Sequence, residues 1–274
     1  MSAEAAGHRP FRHYSWKQRA VSWVSRNLFD RLTYTARHGL TKGMKRRGGL
    51  GWLPEFLGPR ATPEESFWRS LDLRGLTVYD IGAFHGLLTL MFARACRQVV
   101  SYEPNTRNYT RLIENLELNR LDNVIVRKVA AGASARVAMM VASPLAPGGA
   151  SLEPGAVDSL LHSSGPVESE QVQMTTLDDD IRENSLPAPD FIKIDVEGEE
   201  LAVLLGARET LRAHKPRLFI EIHGETMALK RANAAAVVAC LEDLGYRDIR
   251  HVESGAVIGR ANAEAAARGH LDCR

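Results

Sequence analysis

The chain has 274 residues, 45% of them hydrophobic and 25% charged, with a formal net charge of +2. This composition supports a core of ordinary size, and the net charge is too small to mark a nucleic-acid binder by itself. Three widely spaced cysteines, Cys96, Cys240 and Cys273, suit neither a disulfide framework nor a zinc site and point to a reducing compartment.

The N-terminal stretch is basic. From His8 to Arg60, twelve Lys and Arg residues face only Asp30 and Glu55, which reads as a basic arm on a balanced domain. No apolar run is long enough to span a membrane, and the basic start lacks a signal peptide's apolar segment and cleavage site. The expected location is therefore cytoplasmic. Trp16, Ala20, Val21, Trp23, Val24, Leu28, Phe29 and Leu32 fall at helical spacing. Such a helix either packs on the domain, as a lid would, or lies peripherally on the inner face of an anionic membrane with its Trp side chains at the interface. Packing is the expected use. "KGMKRRGGLG", Lys42 to Gly51, reads as a flexible basic loop. Residues 1–70 are thus expected to form a basic helical arm and residues 71–274 the main domain.

From Thr77 onward, short apolar stretches alternate with amphipathic ones. The pattern predicts strands at Thr77–Asp80, Gln98–Glu103, Val124–Lys128, Phe191–Asp195 and Arg217–Ile222. It predicts helices at Leu87–Ala95, Thr106–Asn119, Glu199–Ala213 and Ala232–Leu244, and one more strand within Gly245–Val252. This alternation implies an α/β fold: a Rossmann-like, doubly wound, mostly parallel sheet with helices on both faces. Met139 to Gln173, rich in Pro, Gly and Ser, is too long for an ordinary connection and reads as a substrate-covering loop or a mobile insertion. Ser151 and His162 within it are lone polar residues, of a kind usually exposed.

In such sheets, ligands sit beyond the carboxyl ends of the strands. "VYDIGAFHGLLTL", Val78 to Leu90, carries Asp80 at a strand end, then Gly82 and Gly86 in a turn. The spacing is not the G-x-G-x-x-G of a dinucleotide site, because Phe84 holds the second position, and there is no G-K-S/T for a nucleoside triphosphate. A ligand with an adenosine part and no pyrophosphate fits. Glu103, 23 residues after Asp80 and ending the next strand, is placed to accept hydrogen bonds from both ribose hydroxyls. The plainer alternative is a carboxylate in solvent. Val129-Ala130-Ala131-Gly132, after the third strand, offers small residues for an adenine to rest on, or simply makes a tight turn.

"VYDIGAFHGLLTL" followed by "SYEPNTRNYTRLIENLELNRLDNV", and later "TTLDDDI", "DFIKIDVEGEELAVLLGARETL" and "KPRLFIEIHG", resemble the characteristic blocks of the FkbM family of S-adenosylmethionine-dependent methyltransferases. The resemblance covers Val78 to Gly224, and "IKIDVEGEE" is its most specific block. It implies S-adenosyl-L-methionine as cofactor, held by Asp80, Gly82, Ala83, Phe84, Gly86, Glu103, Asn105, Ala130, Ala131 and Asp195. It also implies O-methylation of a hydroxyl on a sugar, glycolipid or secondary metabolite. Phe84 stands where the family commonly has Asn; an aromatic there can face a sulfonium through cation–π attraction, or can block the site and leave a silent scaffold.

Methyl transfer to a hydroxyl needs alignment and a general base or a metal. The candidates are Asp195 and Glu197 in "IDVEGEE", and Glu221 and His223 in "EIHG", all at carboxyl ends of strands. Each has a structural reading too. Lys193 shares a strand face with Asp195 and can form a buried pair with it. Glu197 and Glu200 suit the start of a helix, and His223 suits a turn. No denser acid cluster is visible, so no metal is assigned. The expected partner is a small-molecule or glycan acceptor. An amine or carboxylate acceptor is the alternative within enzymes. A nucleic-acid-binding module using the basic arm is the alternative outside them, but no stacking platform or recognition motif supports it, so nucleic acid is not expected. The oligomeric state is left open.

Overall fold

The computed structural model describes residues 23–24, 29–48, 62–143, 150–152 and 167–274. The chain first forms β1 (Thr33–Thr35) and β2 (Lys45–Arg47), then α1 (Pro63–Ser70), β3 (Thr77–Ile81), α2 (Leu87–Ala95), β4 (Gln98–Tyr102), α3 (Thr106–Asn119) and β5 (Val124–Arg127). Next come β6 (Ala130–Ala131), β7 (Arg136–Ala142), β8 (Glu168–Thr175), α4 (Leu177–Glu183) and β9 (Phe191–Ile194). The remainder is α5 (Glu200–Leu205), α6 (Arg208–His214), β10 (Arg217–Glu221), α7 (Met227–Asp243), β11 (Ile249–His251), a 3-10 segment at Arg260–Ala267, and β12 (His270–Cys273).

Seven strands make the central sheet in the order β11-β12-β10-β9-β3-β4-β5. From β10 to β5 all neighbours are parallel, and β12 runs against both of its neighbours. Strand alternation divides the buried side chains between two faces. Tyr79, Ile81, Val100, Ile192, Ile194 and Ile220 meet Val237, Val238 and Leu241 of α7. Val78, Val99, Phe191 and Phe219 meet Trp68 and Phe92 on the other side. Helices therefore cover both faces of a mostly parallel sheet, the architecture the alternation predicts. β3 lies between β4 and β9, where the strand order switches direction, and its carboxyl end opens a cleft there.

Several local expectations are corrected. Lys45–Arg47 is not flexible loop: it pairs with Thr33–Thr35, and Asn119 of α3 accepts from the Lys45 amide and donates to its carbonyl. Of the helix expected over Trp16–Leu32, most lies outside the described residues; Trp23 and Val24 are helical, with Trp23 60% exposed, and Phe29–Leu32 is a turn closed by the Leu32 amide on the Phe29 carbonyl. The ends of the Met139–Gln173 segment are ladder rather than loop, because Met139 pairs with Gln171 and Ala142 with Glu168 in the β7–β8 hairpin. Ser151 is buried at 3% exposure, not exposed, and His162 lies outside the described residues. The helix expected over Glu199–Ala213 breaks at Gly206, where a Cβ would stand 2.0 Å from the Gly132 carbonyl oxygen, so the chain needs that close crossing. Trp68 of α1 is 3% exposed and packs against Phe92, Phe191 and Phe219, so the helix just before residue 71 shares the domain's core.

Candidate active site

The cleft begins with the turn after β3. Gly82 has φ +83°, and a Cβ on it would stand 1.8 Å from the Asp195 carbonyl oxygen, so the turns after β3 and β9 touch as only glycine permits. Phe84 adopts φ +52° without being glycine, a conformation that costs on the order of 1 kcal/mol. In return its amide points at Glu103 and donates to Oε2 at 2.8 Å. The Asn105 amide (3.0 Å) and the Asn108 side chain (3.3 Å) donate to Oε1. Glu103 is 5% exposed; burial outweighs these donors and pushes its carboxyl up to about 7.

Beneath the turn lies an ion-paired support. β3–β9 register sets Asp80 opposite Lys193. Lys193 Nζ reaches Asp80 (3.2 Å) and Asp195 (3.1 Å), and donates to the Gly82 carbonyl at 2.8 Å. Burial disfavours its charge, but the Asp195 and Asp80 carboxylates outweigh that and raise its pKa. Asp80 also accepts from the Thr89 hydroxyl at 2.5 Å and is fully buried.

The turns after β9 and β10 bring the proposed chemistry together. His223 Nδ1 meets Glu200 Oε1 at 2.9 Å, and Glu200 is fully buried with Asn233 donating to its other oxygen. This contact aims Nε2 at three carboxylates: Glu221 at 3.4 Å, Asp195 at 3.7 Å and Glu197 at 3.9 Å. Burial opposes a charged ring, but the Glu200 and Glu221 contacts and the Glu197 charge hold its pKa near 11. Burial raises the Glu221 carboxyl, but the His223 and His270 contacts outweigh this and depress it. Glu197 is different: burial raises its pKa, and the Asp195 and Glu221 charges add to this against His223. Glu197 also sits at φ +53°, and Ser151 donates to its carbonyl at 3.0 Å, tying this turn to the β7–β8 hairpin.

Of the expected cofactor residues, Gly82, Phe84, Glu103, Ala130, Ala131 and Asp195 line the cleft, as do Glu197, Glu221 and His223. Asp80, Ala83, Gly86 and Asn105 are not among the lining residues. Asp80 holds Lys193; the Ala83 amide donates to the Tyr102 carbonyl; Gly86 and Asn105 begin α2 and α3. Met140, Ala150 and Leu152 complete the wall from the hairpin, a contribution hidden in the sequence by its Pro- and Gly-rich surroundings. The acid cluster is also denser than the sequence suggests. Asp195, Glu197 and His223 each bring one ligand atom within 4.8 Å of the others, a spacing one cation could bridge. In this arrangement the His223 imidazolium supplies positive charge at that focus.

A mostly parallel sheet, a glycine turn without the dinucleotide spacing and a buried acid after the next strand fit the class I methyltransferases. The cleft fits S-adenosylmethionine on its own terms: the Gly82 cradle would be filled by any Cβ, and Glu103 is fixed by its donors beside the small residues Ala130 and Ala131. Residues 80–247 match the methyltransferase FkbM domain model. The chain belongs to the FkbM methyltransferases, a family whose methyl donor is S-adenosylmethionine. It is 25% identical over 174 residues to the hexuronic acid methyltransferase AglP of Haloferax volcanii, covering 58% of this chain and 67% of that protein. Among solved structures, it is similar to methyltransferase FkbM from Methylobacillus flagellatus, with a TM-score of 0.49, 21% identity and 81% of this chain covered. The chain spans half the length of that protein. A SAM-dependent methyltransferase from Aquifex aeolicus gives a TM-score of 0.41 at 15% identity, covering 77% of this chain and 87% of that one. Among the described residues, no helix is long and apolar enough to cross a membrane.

Proposed function

We propose that the protein methylates a hydroxyl oxygen of a sugar, with a hexuronic-acid glycan as the acceptor class and Glu197 as the group that takes the hydroxyl proton. The observation that carries this reading is the contrast within the cluster. Glu221 and Glu200 are held ionised by imidazole contacts, whereas Glu197 is a cleft-lining carboxylate with a raised pKa. A base works best when its pKa lies nearer the working pH, which favours Glu197 among these acids. His223, protonated and locked by Glu200, is a poor base and a good electrostatic anchor.

S-adenosylmethionine, when bound, supplies a methyl group already activated by its sulfonium. All six of the expected cofactor residues that line the cleft have a role in this reading: Glu103 would hold the ribose hydroxyls, Ala130 and Ala131 would seat the adenine, and Gly82, Phe84 and Asp195 would hold the methionine end. The carboxylates of the cleft suit the positive charge of that end. The hairpin residues Met140, Ala150 and Leu152 limit access of water.

A second, charged cavity adjoins the cleft at Met140. Arg107 and Arg111 pair there with Asp30, and Arg47 with Glu114, a set of planar donors and acceptors suited to sugar hydroxyls and a carboxylate. The name of the Haloferax relative supports the same acceptor class. The test is Glu197→Gln with a glucuronate-containing oligosaccharide as acceptor. A fall in kcat of about 10²-fold or more, with S-adenosylhomocysteine affinity kept within a few-fold, is expected. Undiminished turnover would remove Glu197 as the base.

A further inference from the structure

We infer that His270, on the C-terminal strand, is a positioning residue of this site: it holds the outer oxygen of Glu221 from the side opposite His223. The inference rests on the proposed function for its catalytic consequence, but the pairing itself stands on geometry.

The antiparallel register of β10 and β12 sets Glu221 directly opposite His270. His270 Nε2 lies 3.5 Å from Glu221 Oε2, while His223 Nε2 lies 3.4 Å from Glu221 Oε1. One carboxylate is therefore clamped between two imidazoles. His270 is itself held by three further contacts, two of them to its ring. Its Nδ1 meets Glu253 Oε1 at 2.5 Å, its backbone amide donates to Glu253 Oε2 at 3.0 Å, and its ring stacks on Phe219 at 4.8 Å. Gly269 makes room for this: a Cβ there would fall 2.1 Å from the Glu253 carboxylate, and its φ is +131°. His270 lies beyond residues 80–247, the span matched by the family model, whereas Glu221 lies within it.

With a carboxylate at each ring nitrogen, both nitrogens must carry protons for the contacts to be attractive. The groups facing His270 are Glu221 on β10 and Glu253 after β11, with Glu64 of α1 adding a longer-range charge; His251 shares Glu253 from its far side. Burial disfavours the charged ring, but Glu221 and Glu253 outweigh it and raise its pKa to about 9. The clamp keeps Glu221 ionised and immobile, and Glu221, at Nε2, shares with Glu200, at Nδ1, the holding of His223 toward Asp195 and Glu197. Loss of the His270 proton releases Oε2 and loosens this arrangement, so turnover falls as pH rises through about 9.

Two measurements test this on the full chain. In the first, imidazole resonances are followed by NMR through a pH titration of the wild type and of Glu221→Gln. The expected result is a His270 ring titrating near pH 9 that moves down by a unit or more in the variant. A His270 titrating near 6.5 in the wild type, or unmoved by Glu221→Gln, overturns the pairing. In the second, the pH profile of kcat is measured with the glucuronate-containing oligosaccharide for wild type, His270→Phe, which keeps the stacking ring, and His270→Gln, which restores a neutral donor. His270→Phe should lower kcat about tenfold with KM for S-adenosylmethionine within about twofold, and should lose the alkaline fall near pH 9. His270→Gln should recover part of kcat, also without that fall. A purely structural His270 would lower the folded fraction and leave the alkaline limb in place, which would overturn the inference. Absence of turnover by the wild type on this acceptor counts against the proposed function alone, because the NMR titration still decides the pairing.

Discussion

Glu103 offers a prediction whose sign separates two effects. Burial holds its carboxyl near 7, well above its ordinary value of 4.5. Between those two pH values the folded chain keeps a proton that the unfolded chain has released. The associated stability is therefore fully present below about pH 4.5 and is lost as pH rises through about 7, to a total of roughly 3 kcal/mol. Cofactor binding should run the other way, because both ribose hydroxyls donate best to the ionised carboxylate. At pH 8 about a tenth of Glu103 is protonated, and at pH 6 about nine-tenths. If the bound state stays ionised, affinity should fall roughly tenfold from pH 8 to pH 6, or about 1.4 kcal/mol. Calorimetry with S-adenosylhomocysteine at pH 6, 7 and 8 reads this directly. Glu103→Gln should bind more weakly and without that slope. Equal slopes in wild type and Glu103→Gln, or no slope in the wild type, would refute the ribose role of this residue.

The support beneath the cleft gives three further outcomes. Lys193→Met should cost roughly 3–5 kcal/mol in denaturant unfolding, since it strands the fully buried Asp80 without its cation. Asp195→Asn should cost less than about 1 kcal/mol, because Asp80 and the Gly82 carbonyl still hold Lys193, yet lower kcat on the order of 10²-fold. Melting and turnover measured on one preparation check both statements, and a destabilised but fully active Asp195→Asn would contradict them. Gly82→Ala should abolish measurable S-adenosylhomocysteine binding, since its Cβ would collide with the Asp195 backbone at φ +83°.

Much of the sheet is legible in the sequence because the inner parallel strands are short apolar runs buried on both faces, whereas β5 at the edge is only half-buried. β3 shows this best, with all five residues buried. The convergence of Asp195, Glu197, Glu221 and His223 is legible because each ends or follows a strand whose carboxyl end must open on the same edge. The role of Asp80 is not. Its partner Lys193 is aligned with it only by β3–β9 register, across a span of more than a hundred residues. β12 is hidden because it inserts between β10 and β11, against the chain order, and His270 acquires its partner only from that register. The β7–β8 hairpin is masked by the Pro- and Gly-rich composition between an apolar strand, β7, and a largely polar one, β8. Its contribution of Met140 to the cleft depends on a pairing that no local period signals.

The central claim, methyl transfer to a sugar hydroxyl, is tested most directly by the chemistry of the product. The full chain is incubated with S-adenosylmethionine bearing a trideuterated methyl group and a glucuronate-containing oligosaccharide, and the product is analysed by mass spectrometry before and after mild alkali. The account predicts a labelled methyl ether on a ring hydroxyl that survives alkali and is formed far more slowly by Glu197→Gln. A label released by alkali would mark a methyl ester on the carboxylate and contradict the account.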